Sequence, residues 1–176
     1  IGDIETPVSA FLKLGDLPGA FLFESIAGGE RLGRYSFIGT DPGRWMRVRG
    51  GVAVTGSRPD YSDPKPLHLS PIDAIRAFSN SARAEAPADL PPMASGAFGY
   101  LGYDMVRHVE KLPAAKPDPN GVPEAMLMRP GVVLIFDGVR QEIIIAAPER
   151  GGEAATLARM DAVEAQLDQP MPPSRP

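Results

Sequence analysis

Glu24 and Ser25 close the apolar run Phe21-Leu22-Phe23, and their types suit a small zwitterion. A carboxylate can pair with an α-ammonium group, while a hydroxyl and the adjoining strand amides can hold an α-carboxylate. Leu22 and Phe23 would then grip the apolar side chain of a free amino acid. The same pattern also fits a strand that turns polar as it leaves a core, and the local sequence leaves both readings open.

The remaining chemical candidates are weaker. His108 sits among Asp104, Arg107 and Glu110, which allows an acid–base couple on paper. No nucleophile or second histidine lies near it in sequence, so the pattern predicts a solvated helix face. Gly96, Gly99 and Gly102 form a G-x-x-G-x-x-G run that matches neither phosphate-loop nor dinucleotide spacing, and aromatic residues fill its gaps. Such glycines predict close backbone packing against a sheet. Five arginines between Arg31 and Arg49 could form an anion patch. Arg47 and Arg49 alternate with Met46 and Val48 in the period of a strand, which favours exposed strand faces instead. No catalytic group is assigned.

Composition narrows the classes. The 176 residues contain 22 acidic and 18 basic side chains, a net charge of −4 that would repel nucleic acid. There is no cysteine and only His68 and His108, so thiolate chemistry is excluded and a histidine metal cluster is not expected. No run of about eighteen apolar residues is present to cross a bilayer. No signal-peptide pattern opens the chain, and a cytoplasmic location is expected. A sequence beginning at Ile1 without Met predicts that the natural start lies upstream.

These residues must be positioned by the following elements. Thr6 and Pro7 cap a short helix carrying Val8, Phe11 and Leu12, with Gly15 expected as its left-handed end. Ala20–Ile26 and Arg34–Ile38 form a hairpin across Gly28-Gly29, and Trp45–Arg49 and Val52–Thr55 form another across Gly50-Gly51. Ser70 and Pro71 start a helix with Ile72, Ile75, Phe78 and Ala82 on one face. The proline-rich stretch 113–123 is expected to be extended and exposed. Val132–Phe136 and Val139–Ala147 flank Asp137-Gly138, which predicts a type I′ hairpin. The first of these strands is apolar throughout and should be buried on both faces. Glu153–Leu167 is expected to be a helix with Leu157, Met160, Val163 and Leu167 along one side. Hairpins with singly inserted helices predict an α+β fold with a mostly antiparallel sheet. The expected organisation is one domain over residues 1–168 and a proline-rich linker over 169–176.

Four blocks carry a family resemblance: TPVSAFLKL (6–14), ESIAGGERLGRYSFIG (24–39), GAFGYLGYDMVRHVEKLP (96–113) and PEAMLMRPGVVLIFD (123–137). In this order they resemble the amino-terminal region of anthranilate synthase component I. The resemblance implies that Glu24 and Ser25 belong to a tryptophan-binding motif, with Phe21, Leu22 and Phe23 where leucines usually stand, and that Arg34, Tyr35 and Ser36 line the same site. It implies the fold of that region and a role in feedback inhibition of tryptophan biosynthesis. The family's complete subunit, a lyase, converts chorismate and an ammonia equivalent to anthranilate and pyruvate, uses Mg²⁺ and works with a glutamine amidotransferase subunit. The catalytic, chorismate-binding half is expected downstream, beyond the proline-rich tail. The fragment alone is expected to be non-catalytic and without a cofactor, with L-tryptophan as inhibitor, the chorismate-binding domain and the amidotransferase as partners, and neither nucleic acid nor membrane. The related large subunit of aminodeoxychorismate synthase in the folate pathway is the alternative, and a free-standing α+β binding or structural module is a further one.

Overall fold

The computed structural model describes residues 5–24, 33–81, 90, 91, 93–113, 118 and 120–173. The fold is α+β, with two antiparallel sheets and a few helices. The chain divides into two compact units, one drawing on residues 1–42, 86–95 and 130–176, the other on 43–85 and 96–129.

The first unit holds α1 (Pro7–Leu14), β1 (Phe21–Phe23), β2 (Tyr35–Thr40), β8 (Val132–Asp137), β9 (Glu142–Ala146) and α3 (Glu153–Leu167), with its sheet in the order β1-β2-β8-β9. α1 starts as its sequence dictates. Thr6 Oγ1 accepts from Ser9 N at 3.1 Å, and Ser9 Oγ accepts from Thr6 N at 2.8 Å, a reciprocal cap with Pro7 next to it. Its end differs from expectation. Gly15 is right-handed at φ −65°, because the chain runs on through a turn in which Leu17 N donates to Leu14 O, and the positive φ falls at Gly19.

In the register of this sheet Leu22 faces Ile38, Ser36 faces Phe136 and Ile38 faces Leu134. Alternation puts these side chains on one face, where they meet Ala10 and Leu14 of α1 and Val163 and Leu167 of α3. The sequence expectation of burial throughout β8 holds: all six of its residues are buried, Asp137 included. Leu134 is fully buried; truncating it to Ala costs about 2–5 kcal/mol. α1 and α3 are also stapled by polar groups, Lys13 Nζ donating to Leu167 O at 2.7 Å and Gln166 Nε2 to Lys13 O at 3.2 Å.

Two further expectations are corrected here. Asp137-Gly138 is not a two-residue turn: Asp137 pairs with Glu142, four residues intervene, and the left-handed residue is Gln141 at φ 54°. The Asp137 carboxylate accepts from the amides of Val139 at 3.0 Å and Arg140 at 3.2 Å, which fixes a wider turn. On α3 the inward residues are Thr156, Val163 and Leu167, while Leu157 is 50% exposed. Thr156 can face inward because its hydroxyl donates to Gly152 O and accepts from Arg150 N.

The second unit holds β3 (Arg44–Arg49), β4 (Val52–Gly56), β5 (Lys65–Pro66), α2 (Pro71–Ser81), β6 (Phe98–Leu101), a 3-10 helix (Tyr103–His108) and β7 (Ala125–Arg129), with sheet order β5-β4-β3-β7-β6. Gly50 and Gly51, at φ 57° and 72°, make the expected tight turn between β3 and β4. Met46, Val48, Ala53 and Leu127 pack under Ala74 and Phe78 of α2 and Met105 of the 3-10 helix. Trp45 is fully buried, donates its indole N–H to Arg58 O at 3.0 Å and meets the edge of Tyr61 at 5.5 Å. The glycine run is architectural, as expected. Gly99, at φ 149°, brings its backbone so close to Met126 O that a Cβ could not fit, and Gly102 N donates to Glu124 O at 2.7 Å.

Candidate functional site

Pairing of β1 with β2 decides which of the candidate binding residues can meet. Phe23 lies opposite Phe37, and Leu22 opposite Ile38. Because strand residues alternate, Phe21, Phe23, Tyr35 and Phe37 share one face, whereas Leu22 and Ser36 share the other with the helix-covered core. Rings are paired along each strand: Phe21 and Phe23 have centroids 5.1 Å apart, and Tyr35 and Phe37 6.1 Å. Phe23 is 44% exposed, and Glu24 follows it, exposed, at the strand's end. Ser25 and the Gly28-Gly29 turn lie outside the described residues.

Arg34 precedes Tyr35 at the same end of the strand pair as Glu24, because the pairing is antiparallel. Its guanidinium lies 4.8 Å from the Tyr35 ring centroid, within cation–π range. It also forms a two-pronged ion pair with Asp137, Nε to Oδ1 at 2.9 Å and Nη2 to Oδ2 at 2.6 Å. Arg34 therefore holds Asp137 below the ordinary carboxylate range, at about 2, against the opposing effect of burial and with help from the Val139 and Arg140 amides. In return Asp137 raises the Arg34 pKa, so the pair is ionic at any working pH.

On the opposite face, Arg34 and Ser36 line a cavity of about 440 Å³ with Glu5, Phe136, Gln141 and Glu142. Ser36 is 8% exposed. Glu5, in the lining, is tied to Lys13 and accepts from Ser9 Oγ at 2.8 Å. Of the seven residues assigned to one site from sequence, the structure thus brings Phe23 and Tyr35 to the aromatic face, and Glu24 directly follows β1. Leu22 and Ser36 are on the helix-covered face, and Arg34 is at the junction. The sequence reading missed Phe37 and Asp137. Asp137 gave only a turn signal, and its pairing with Arg34 spans 103 residues.

The second unit has a cavity of about 610 Å³ lined by Arg49, Tyr100, Tyr103, Asp104, Arg107, His108 and Glu124, among others. His108 is not on a solvated face as expected. Its Nε2 lies 2.7 Å from Glu124 Oε2, and the other oxygen of Glu124 accepts from Gly51 N at 3.2 Å. The partner comes from the lead-in to β7 because the 3-10 helix folds back on the β3–β4 turn. Arg107 Nε donates to Asp104 at 2.7 Å. These groups satisfy one another, and no nucleophile stands among them. Among the described residues, no three of His, Asp and Glu gather to hold a metal ion, and no helix is long and apolar enough to cross a membrane.

No family model matches the chain. Anthranilate synthase component 1 of Cereibacter sphaeroides is 44% identical over 171 residues, covering 94% of this chain and 34% of that protein. The Thermus thermophilus protein of the same name is 38% identical over 176 residues, covering 98% and 36%. The crystal structure of anthranilate synthase component I from Streptococcus pneumoniae TIGR4 superposes with a TM-score of 0.64 at 21% identity, over 97% of this chain and 36% of that one, and so shares the fold. The chain spans about a third of the length of the curated relatives it matches.

Proposed function

The chain belongs to the anthranilate synthase component 1 family, matching its amino-terminal part, and from that premise we propose that it is the non-catalytic, tryptophan-sensing part of such a subunit. The observation that carries this reading is the aromatic face of β1 and β2, with an exposed glutamate, Glu24, as the residue that follows β1. An indole stacks on Phe23 and Tyr35, where aromatic pairs contribute about 0.5–1.5 kcal/mol beyond burial. Glu24 takes the α-ammonium group, and Ser25 with the strand amides takes the α-carboxylate. Arg34, fixed by Asp137, holds the Tyr35 ring in place, while Ser36 lines the cavity on the opposite face.

In the whole subunit, the proposed reaction converts chorismate and ammonia to anthranilate and pyruvate, the first step of tryptophan biosynthesis. Ammonia comes from a glutamine amidotransferase partner. Chorismate and Mg²⁺ are held by a separate domain of the subunit. Tryptophan bound at Glu24 favours an arrangement that takes chorismate poorly. Such coupling is typically about 1–3 kcal/mol and reciprocal, so chorismate weakens tryptophan binding by the same factor.

Titration calorimetry of this chain with tryptophan and with tyrosine tests the site. The expected dissociation constant for tryptophan is on the order of millimolar, about 4 kcal/mol, with weaker binding of tyrosine. Equal heats for the two amino acids, or none at high concentration, would sink the reading.

A further inference from the structure

Arg44 and Arg129 stand directly opposite each other in the β3–β7 ladder. Directly opposed residues of an antiparallel pair have Cβ atoms about 4.5–5.5 Å apart on one face, and like charges there repel. The next pair along that face, Met46 and Leu127, lies in the apolar core under α2, so the two guanidinium groups sit at the rim of a low-dielectric region. Arg44 is exposed, and Arg129 is partly buried.

Neither guanidinium has a hydrogen bond or an ion pair with a described residue, unlike Arg34, Arg76, Arg107, Arg140 and Arg150, which all meet a carboxylate. The Arg129 pKa is lowered, first by burial and then by Arg44, with no carboxylate opposing either effect. A half-buried charge facing its own kind is a cost that an anion would remove. Arg129 ends β7 where Gly43 N closes the ladder on its carbonyl at 2.9 Å, so the pair is held in register while Arg44 leaves it open to solvent.

We propose that Arg44 and Arg129 form a binding site for a small oxyanion, a phosphate or a dicarboxylate, clamped between their two planar guanidinium groups. Arginine suits this role because its fork of N–H donors matches two oxygens of one ligand. The site lies within the second unit and does not depend on the tryptophan reading.

The test uses the whole chain, with inorganic phosphate titrated at constant ionic strength against sodium chloride and followed by calorimetry and thermal unfolding. Phosphate should give a saturating heat and raise the unfolding midpoint more than matched chloride, since a ligand of the native state stabilises it by mass action. Arg44→Gln and Arg129→Gln should each weaken phosphate binding at least about tenfold. Should Arg129→Gln fail to fold, the exposed Arg44→Gln decides alone. In phosphate-free buffer Arg44→Gln should unfold no earlier than the parent chain, because a repulsion has been removed. Malonate in place of phosphate identifies the source: a tighter response, lost in Arg44→Gln, assigns the site to dicarboxylates. Phosphate and malonate both behaving like chloride, or binding unchanged in both variants, overturns the proposal.

Discussion

Arg34 in the first unit and Arg44 in the second both flank the start of an antiparallel strand, yet their surroundings are opposite. Across the sheet from Arg34's strand comes Asp137, buried and bidentate, so that two charges and two backbone amides close on one another. Across from Arg44 comes another arginine. The contrast shows how neighbours decide what a charge does. A satisfied pair fixes a turn and steadies an aromatic ring, whereas a pair with no counter-charge among the described residues leaves a demand that an anion would meet.

That contrast can be broken most forcefully at Asp137. Asp137→Asn leaves the Arg34 guanidinium without its anion and weakens the acceptors for Val139 and Arg140. We expect a loss of about 2–3 kcal/mol in urea unfolding. A loss below about 0.5 kcal/mol would mean that the pair is no more than a surface bridge. Arg44→Gln measured alongside should show no such loss.

The pair can also be titrated. The folded pKa of Asp137, about 2, lies below its ordinary value of 3.8. Its contribution is therefore fully present above about pH 4 and is lost as the pH falls toward 2, because the unfolded chain takes up the proton first. Stability of the parent chain should drop across that window more steeply than that of Asp137→Asn, as read from unfolding midpoints at each pH. Parallel curves would remove Asp137 from the account.

A substitution at the end of β1 sharpens the comparison from the side of function. Glu24→Gln removes an exposed carboxylate and should lower tryptophan affinity about tenfold, near 1.4 kcal/mol, while shifting stability by no more than about 0.5 kcal/mol. Calorimetry and urea unfolding on the same samples separate the two effects. The smallest expected effect is that of Arg44→Gln without anion, a gain of a few tenths of a kcal/mol, about the size of one relieved cross-strand repulsion.

Much of this was legible in the residues. Period-two alternation gave β3, Gly50-Gly51 gave the turn and with it β4, and Thr6-Pro7 gave the start of α1. What failed depended on partners remote in sequence. Asp137-Gly138 has the composition of a tight hairpin, but the Asp137 carboxylate binds two amides and an arginine 103 positions away, and the turn widens. In sequence His108 neighbours Asp104 and Glu110, although its partner is Glu124. Leu157 fitted the periodicity of α3 better than Thr156, but the inward position went to the residue whose hydroxyl could be satisfied locally. For the binding residues, types were readable and sides were not, since only the pairing of β1 with β2 separates Phe23 from Leu22.

Trp45 is the sole tryptophan of the sequence, and it is sealed inside the second unit against Tyr61. Its ultraviolet emission therefore works as a lamp for one half of the molecule. Melting followed by that emission tracks the β3–β7 sheet, while far-ultraviolet dichroism averages both sheets and all helices. Non-coincident curves would reveal halves that come apart in sequence, and superimposed ones a single cooperative event.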